Sequence, residues 1–102
     1  MEKEIEDLLA GIDEQHERVM RIQRTVERME ITGYAGNGEV TVKLRGTAEL
    51  TEVYLDPQLL RTSDSETVGQ LVVQAVNDGM RRLNEASRRE FEPIIAESTG
   101  SF

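Results

Sequence analysis

Residues 36–57 read GNGEVTVKLRGTAELTEVYLDP, and the spacing of their apolar positions decides the fold class. Gly36, Asn37 and Gly38 form a turn cluster, after which Val40, Val42 and Leu44 alternate with Thr41, Lys43 and Arg45. That alternation sends one set of side chains to a core and the other to water, which predicts a strand. Ile31 to Tyr34, on the other side of the turn, reads as its hairpin partner. Gly46 to Ala48 reverses the chain again, and Leu50 to Leu55, where Val53 and Leu55 alternate with Glu52 and Tyr54, predicts a third antiparallel strand. Asp56 before Pro57 is a helix start, because the carboxylate caps free amides and the ring presets the backbone dihedral. Pro57 to Leu60 is therefore predicted as one short helical turn closing the sheet.

Both flanks change period. Residues 2–30 carry Ile5, Leu8, Ile12, Val19, Ile22, Val26 and Met29 in alternating steps of three and four, with Gln15 as the polar interruption. This is a helix of roughly 40 Å at 1.5 Å per residue, with a narrow seam that needs another helix from the same chain or from a partner. Gln15 reads as a setter of register within that seam. Ser63 and Glu66, three apart, read as a capping box that opens a second long helix carrying Val68, Leu71, Val72, Ala75, Val76, Met80 and Leu83. Its first half is broad enough to cover a three-stranded sheet. Its second half, Arg81 to Glu92, thins to Leu83, Ala86 and Phe91 and suits pairing with the first helix. Pro93 is expected to end the helix and leave residues 93–102 as a frayed tail. The reading is a single α+β domain over residues 1–102, in the order long helix, three-stranded antiparallel sheet, long helix.

The composition bounds what such a domain can do. The 102 residues include no cysteine and no tryptophan, 37% hydrophobic positions and 4% aromatic ones. A chain of this size buries only about two thirds of its unfolded surface, so its core is thin and a second copy would help. The absence of cysteine excludes disulfides, thiolate catalysis and thiolate zinc sites. No stretch is apolar for long enough to cross a bilayer, and Glu2, Lys3 and Glu4 are unlike a secretory leader, so a soluble, cytoplasmic protein is expected. The net charge of -8 disfavours a generic basic nucleic-acid binder and contact with anionic lipid. Screening within about 8 Å, however, makes local charge decisive at contact range.

Particular residues add to this. Gly33, Gly36 and Gly38 precede Val40, Val42, Leu44 and Gly46; Val53, Leu55, Asp56, Pro57, Leu59 and Leu60 follow; Leu71, Val72, Ala75, Asn77 and Asp78 lie in the second long helix. In this order and at these spacings the set resembles the YbaB/EbfC family of bacterial nucleoid-associated proteins. The matching positions span about half the chain, and the first helix matches by position and length only. Gly79 departs from the pattern, standing where alanine usually follows Asn-Asp. The resemblance implies a small α+β protomer, a symmetric homodimer shaped like tweezers with helical arms, and DNA binding of weak sequence preference through the first and last helices.

The first helix is electrically split. Residues 1–17 hold seven acidic residues against Lys3, whereas 18–28 hold Arg18, Arg21, Arg24 and Arg28 against Glu27. At 100° per residue these arginines fall within about 120° of one another, a stripe beside the seam. Arg81, Arg82, Arg88 and Arg89 repeat the theme as two pairs seven residues apart, and the stripes merge if the helices pair. A guanidinium fork binds phosphate in two-pronged fashion and is weakly hydrated. A second reading stays open: acids early and bases late complement the helix dipole, and Glu14–Arg18, Glu17–Arg21 and Glu85–Arg89 are i,i+4 pairs in the favourable order.

Nothing else points to a reactive centre. His16 is a lone imidazole beside the seam, and the glycines between the strands read as a hairpin turn rather than a phosphate loop. Asn77 and Asp78 read as helix-to-sheet hydrogen bonding or a dimer contact. No nucleophile with an activating base, and no metal or cofactor site, can be placed by spacing. The expectation is a non-enzymatic cytoplasmic homodimer with no small-molecule substrate, binding the phosphates of duplex DNA through the eight arginines. The alternative is an adaptor whose acidic or coiled-coil arms grip a protein partner without DNA.

Overall fold

The computed structural model describes residues 2–100. The order is α1 (Glu2–Glu27), β1 (Glu30–Ala35), β2 (Val40–Arg45), β3 (Leu50–Leu55), α2 (Pro57–Thr62) and α3 (Ser65–Gly100). The sheet is antiparallel, in the order β1-β2-β3, with Gly33 opposite Val42 and Val42 opposite Val53. Its register shifts between Lys43 and Leu44, and the Thr51 hydroxyl donates to the Lys43 carbonyl at 3.2 Å. Asp56 caps α2 as its position before proline predicts, its Oδ1 accepting from the Gln58 amide at 2.8 Å.

β1 extends one residue beyond the expected Ile31 to Tyr34 at each end, α2 runs two residues past the expected Leu60, and three further boundaries differ from the sequence reading. First, α1 stops at Glu27 rather than running to residue 30. The Met29 carbonyl is taken by the Gly46 amide at 3.0 Å and Glu30 pairs with Arg45, so sheet bonding overrides the helical period there. Second, the cap of α3 is Asp64, whose Oδ1 accepts from the Thr67 amide at 2.9 Å, and not Ser63. Ser63 terminates α2 instead, its amide donating to the Leu59 carbonyl at 3.0 Å. Third, α3 continues through Pro93 to Gly100. Pro93 and Arg89, whose carbonyl loses its helical partner, are both exposed, so water can satisfy that group. Ser101 and Phe102 of the expected tail lie outside the described residues.

The core is one layer of helix on sheet. Val40, Val42, Leu44, Ala35, Leu59 and Ala75 are buried, and Val68, Leu71, Val72 and Val76 of α3 pack around them. The helix lies over β1 and β2. It approaches closely because two glycines face each other. A Cβ on Gly79 would sit 2.6 Å from Leu44 Cδ1 and 3.6 Å from Gly33 Cα, and a Cβ on Gly33 would strike the Ala75 carbonyl oxygen. Gly79 therefore marks a tight approach to the sheet. With α3 so placed, β3 is left uncovered except at Leu55, which packs against the core: Leu50 and Val53, opposite buried Leu44 and Val42 and hence on the same face, are 43% and 41% exposed.

The helices outrun the sheet. The radius of gyration is 20.5 Å and the principal extents are 74 × 25 × 16 Å, against about 13 Å expected for a globular chain of 100 residues. The α1 seam packs on α3 only near its C-terminal end, where Val26 is buried and Val19 and Ile22 are half-buried, while residues 2–17 are exposed.

Replacing Gly33 with alanine is expected to destabilise the chain by about 1–3 kcal/mol or more, because the obstructing atoms are backbone and cannot yield. Gly11→Ala, with nothing within 4 Å of the new methyl group, should instead be neutral or stabilising by up to about 1 kcal/mol. Urea unfolding of the two variants measures the contrast.

Candidate nucleic-acid interface

The two long helices form an arm, and burial fixes which side of each faces the other. Val26 and Gln23 of α1 line one shallow cavity with Leu83, Ser87 and Phe91 of α3. On α1, helical periodicity turns Arg21 and Arg24 away from the Val19, Ile22 and Val26 face. Arg28 follows the last helical residue, its amide still bonded to the Arg24 carbonyl at 3.2 Å, and all three arginines are exposed. Arg18, at the border of that face, is half-buried. On α3, Arg81, Arg82, Arg88 and Arg89 are exposed and lie off the stripe that contacts the sheet and α1. The arginines of both helices thus sit on the outer surfaces of the arm, with an apolar contact between the helices.

Their immediate partners differ. Arg24 folds back along its own helix, Nε donating to the Met20 carbonyl at 3.3 Å. Arg81 and Arg82 converge on Asp78, Arg82 Nε donating to Oδ2 at 2.9 Å and Arg81 Nη2 to Oδ1 at 3.3 Å. Arg21, Arg28, Arg88 and Arg89 carry no ion pair among the described residues. The i,i+4 pairs Glu17–Arg21 and Glu85–Arg89, favourable in sequence, are therefore not closed, and four guanidinium groups are left for solvent or ligand.

Asp78 is a carboxylate built into this surface. Besides the two arginines it accepts the Tyr34 backbone amide at 2.9 Å, an amide on the free edge of β1, and its side chain is only 20% exposed. The Tyr34 amide, together with the Arg82 and Arg81 guanidinium groups, holds its carboxyl below the usual carboxylate range against an opposing effect of burial. Arg82 also lies over the Tyr34 ring, 5.4 Å from its centroid, a cation–π distance. Asp78 so makes the helix-to-sheet bond that its mid-helix position suggested. The Tyr34 edge was missing from the sequence reading, although the i+3 and i+4 spacing of Arg81 and Arg82 already placed them within reach of Asp78.

The outer face of the sheet is polar and self-paired: Lys43 Nζ sits 3.4 Å from Glu30 and 3.5 Å from Glu52, and Arg45 meets Glu49 at 3.8 Å. His16 lies on an exposed turn of α1. Among the described residues no group of three or more His, Cys, Asp or Glu side chains could hold a metal ion, and no helix is long and apolar enough to cross a membrane.

Comparison with known proteins agrees with this architecture. The profile of the YbaB/EbfC DNA-binding family matches residues 1–98. A nucleoid-associated protein of Rhodococcus erythropolis is 31% identical over 87 residues, covering 85% of this chain and 78% of that protein. One of Corynebacterium kroppenstedtii is 30% identical over 93 residues, covering 91% and 93% respectively. A crystal structure of an uncharacterized protein, HP0035 from Helicobacter pylori, superposes with a TM-score of 0.60 at 26% identity, covering 80% of this chain and 92% of that one.

Because the folded carboxyl of Asp78 titrates below its unfolded value, its contribution to stability is complete above the ordinary carboxylate range and fades as pH falls through the depressed value. Asp78→Asn should cost about 1–2 kcal/mol at neutral pH, and the gap to the parent chain should close in acid. Thermal unfolding of both chains between neutral pH and strong acid measures it.

Proposed function

The chain belongs to the YbaB/EbfC DNA-binding family, and from that membership we propose that it is a bacterial nucleoid-associated protein that binds duplex DNA as a homodimer, through arginines on its helical arms and with little sequence preference. The observation that carries the reading is the set of four guanidinium groups without an ion pair among the described residues, Arg21, Arg28, Arg88 and Arg89, on the outside of an arm that projects from the sheet. Guanidinium groups on a rigid helical scaffold meet phosphate oxygens bidentately, and phosphate contact positions a protein without reading bases. Arg18, Arg24, Arg81 and Arg82 extend the surface; Arg82 reaches it already oriented by Asp78 and Tyr34.

Two features support a dimer. The β3 strand presents apolar side chains that no described element of the protomer covers, and Leu60 and Val73, at 55% and 59% exposure, add to the uncovered apolar surface of the same half of the molecule. A second copy seated there would remove this surface from water and double the number of arms. The net charge of -8 does not oppose the reading, because the acids of the first helix are concentrated in residues 2–17 and its arginines in 18–28. The names of the relatives support a role at the nucleoid.

Anisotropy titrations of two unrelated duplexes over a series of salt concentrations test this. Similar affinity for both duplexes is expected, falling steeply with salt. Changing Arg21, Arg28, Arg88 and Arg89 together to glutamine should flatten the slope of log K against log salt by about 0.9 for each phosphate that is no longer engaged. Absence of binding at low salt, or a slope that the quadruple variant leaves unchanged, contradicts it.

A further inference from the structure

The distal half of α1 is the part of the molecule that neither the sheet, nor α3, nor the arginine surface uses. Ile5, Leu8, Leu9 and Ile12 are 57%, 65%, 54% and 54% exposed, although they fall on one side of the helix. The coverage that α3 gives α1 ends at Arg18 and Val19. Four large aliphatic side chains on one helix face, in a chain that is only 37% hydrophobic, form a stripe that water does not favour. Acidic residues border it on both sides: Glu6 and Asp13 along one edge, Glu4 along the other, with Asp7 and Glu14 beyond it.

The border decides what can lie on the stripe. A second copy of the same segment would set carboxylates against carboxylates, since residues 2–17 hold seven acids and one lysine. The basic half of another α1 cannot serve either, because its own apolar seam at Val19, Ile22 and Val26 is already packed on α3. Duplex DNA and anionic lipid share the sign of the border. What remains is a surface apolar along its middle and cationic along its edges. We propose that the distal half of α1 docks a cationic amphipathic helix of another protein, in a helix-to-helix contact separate from the arginine surface. Helical apolar anchors supply the contact area and the flanking charges select the partner. Gly11, which has nothing within 4 Å of the position of a side chain, leaves a notch beside Leu8 and Ile12 for the approach of the partner.

The probe is a fluorescein-labelled Leu/Lys peptide of about three heptads, with leucines on one helical face and lysines on the others, titrated into the full chain at physiological salt. A peptide of the same composition with its leucines scrambled around the helix serves as the control. The amphipathic peptide should bind, and the scrambled one should bind at least about tenfold more weakly. The Leu8→Ser/Ile12→Ser variant should lose at least about tenfold in peptide affinity while keeping its helix content by circular dichroism and its affinity for duplex DNA. Equal binding of both peptides, or equal binding of the peptide by parent and variant, overturns the proposal, since charge alone would then account for the contact. Sedimentation of the parent chain as a tip-linked assembly that the variant abolishes also overturns it. Retention of DNA binding in the variant separates this surface from the arginine surface, and failure of the parent chain to bind DNA leaves the peptide readout standing.

Discussion

The close approach of two backbones at Gly33 and Gly79 sets the rest of the structure. A helix held at that distance from an edge strand sits over β1 and β2 and leaves β3 exposed except at Leu55, which packs against the buried cluster. It buries Val40, Val42 and Leu44 beneath it and leaves Leu50 and Val53 outside. The same placement brings Asp78 to the free edge of β1, where one carboxylate takes a backbone amide and two guanidinium groups. It also directs the second half of α3 past the end of the sheet, where the C-terminal part of α1 becomes the partner for its thinning apolar stripe. Core, arm and the orientation of Arg82 thus share one cause.

A chain built this way is poor in core and rich in surface. An extended rod and a strand exposed over most of its length would be costly in an isolated small domain, which has little apolar burial to set against chain entropy. Both suit the contacts proposed for these surfaces. The charges follow a similar division. The acids keep the whole molecule anionic, while on α1 the acid-rich segment, residues 2–17, gives way at Arg18 to a segment in which arginines outnumber acids. A field screened within about 8 Å is compatible with the opposite partners proposed for the two halves of one helix.

Much of this was legible in the sequence. The alternation in Val40 to Arg45 and in Leu50 to Leu55 located β2 and β3 with their observed bounds, and Asp56-Pro57 located the start of α2. What escaped depended on partners distant in the chain or on competition between like residues. The end of α1 is set by the Gly46 amide, seventeen positions on from Met29. Ser63 and Asp64 are both good caps, and nothing local ranks them. Helix passage through Pro93 depends on the exposure of the turn before it, which composition does not reveal. The arginine stripes were visible as periodicity. The division into guanidinium groups tied to Asp78 and groups left unpaired was not, since it follows from side-chain geometry and from an edge amide 44 residues away.

In the proposed dimer a second copy covers the apolar surface that α3 leaves open. Sedimentation equilibrium at low micromolar concentration tests this pairing. A single species of twice the 11.5 kDa chain mass is the predicted result, and a stable species of 11.5 kDa at every concentration tested would contradict it.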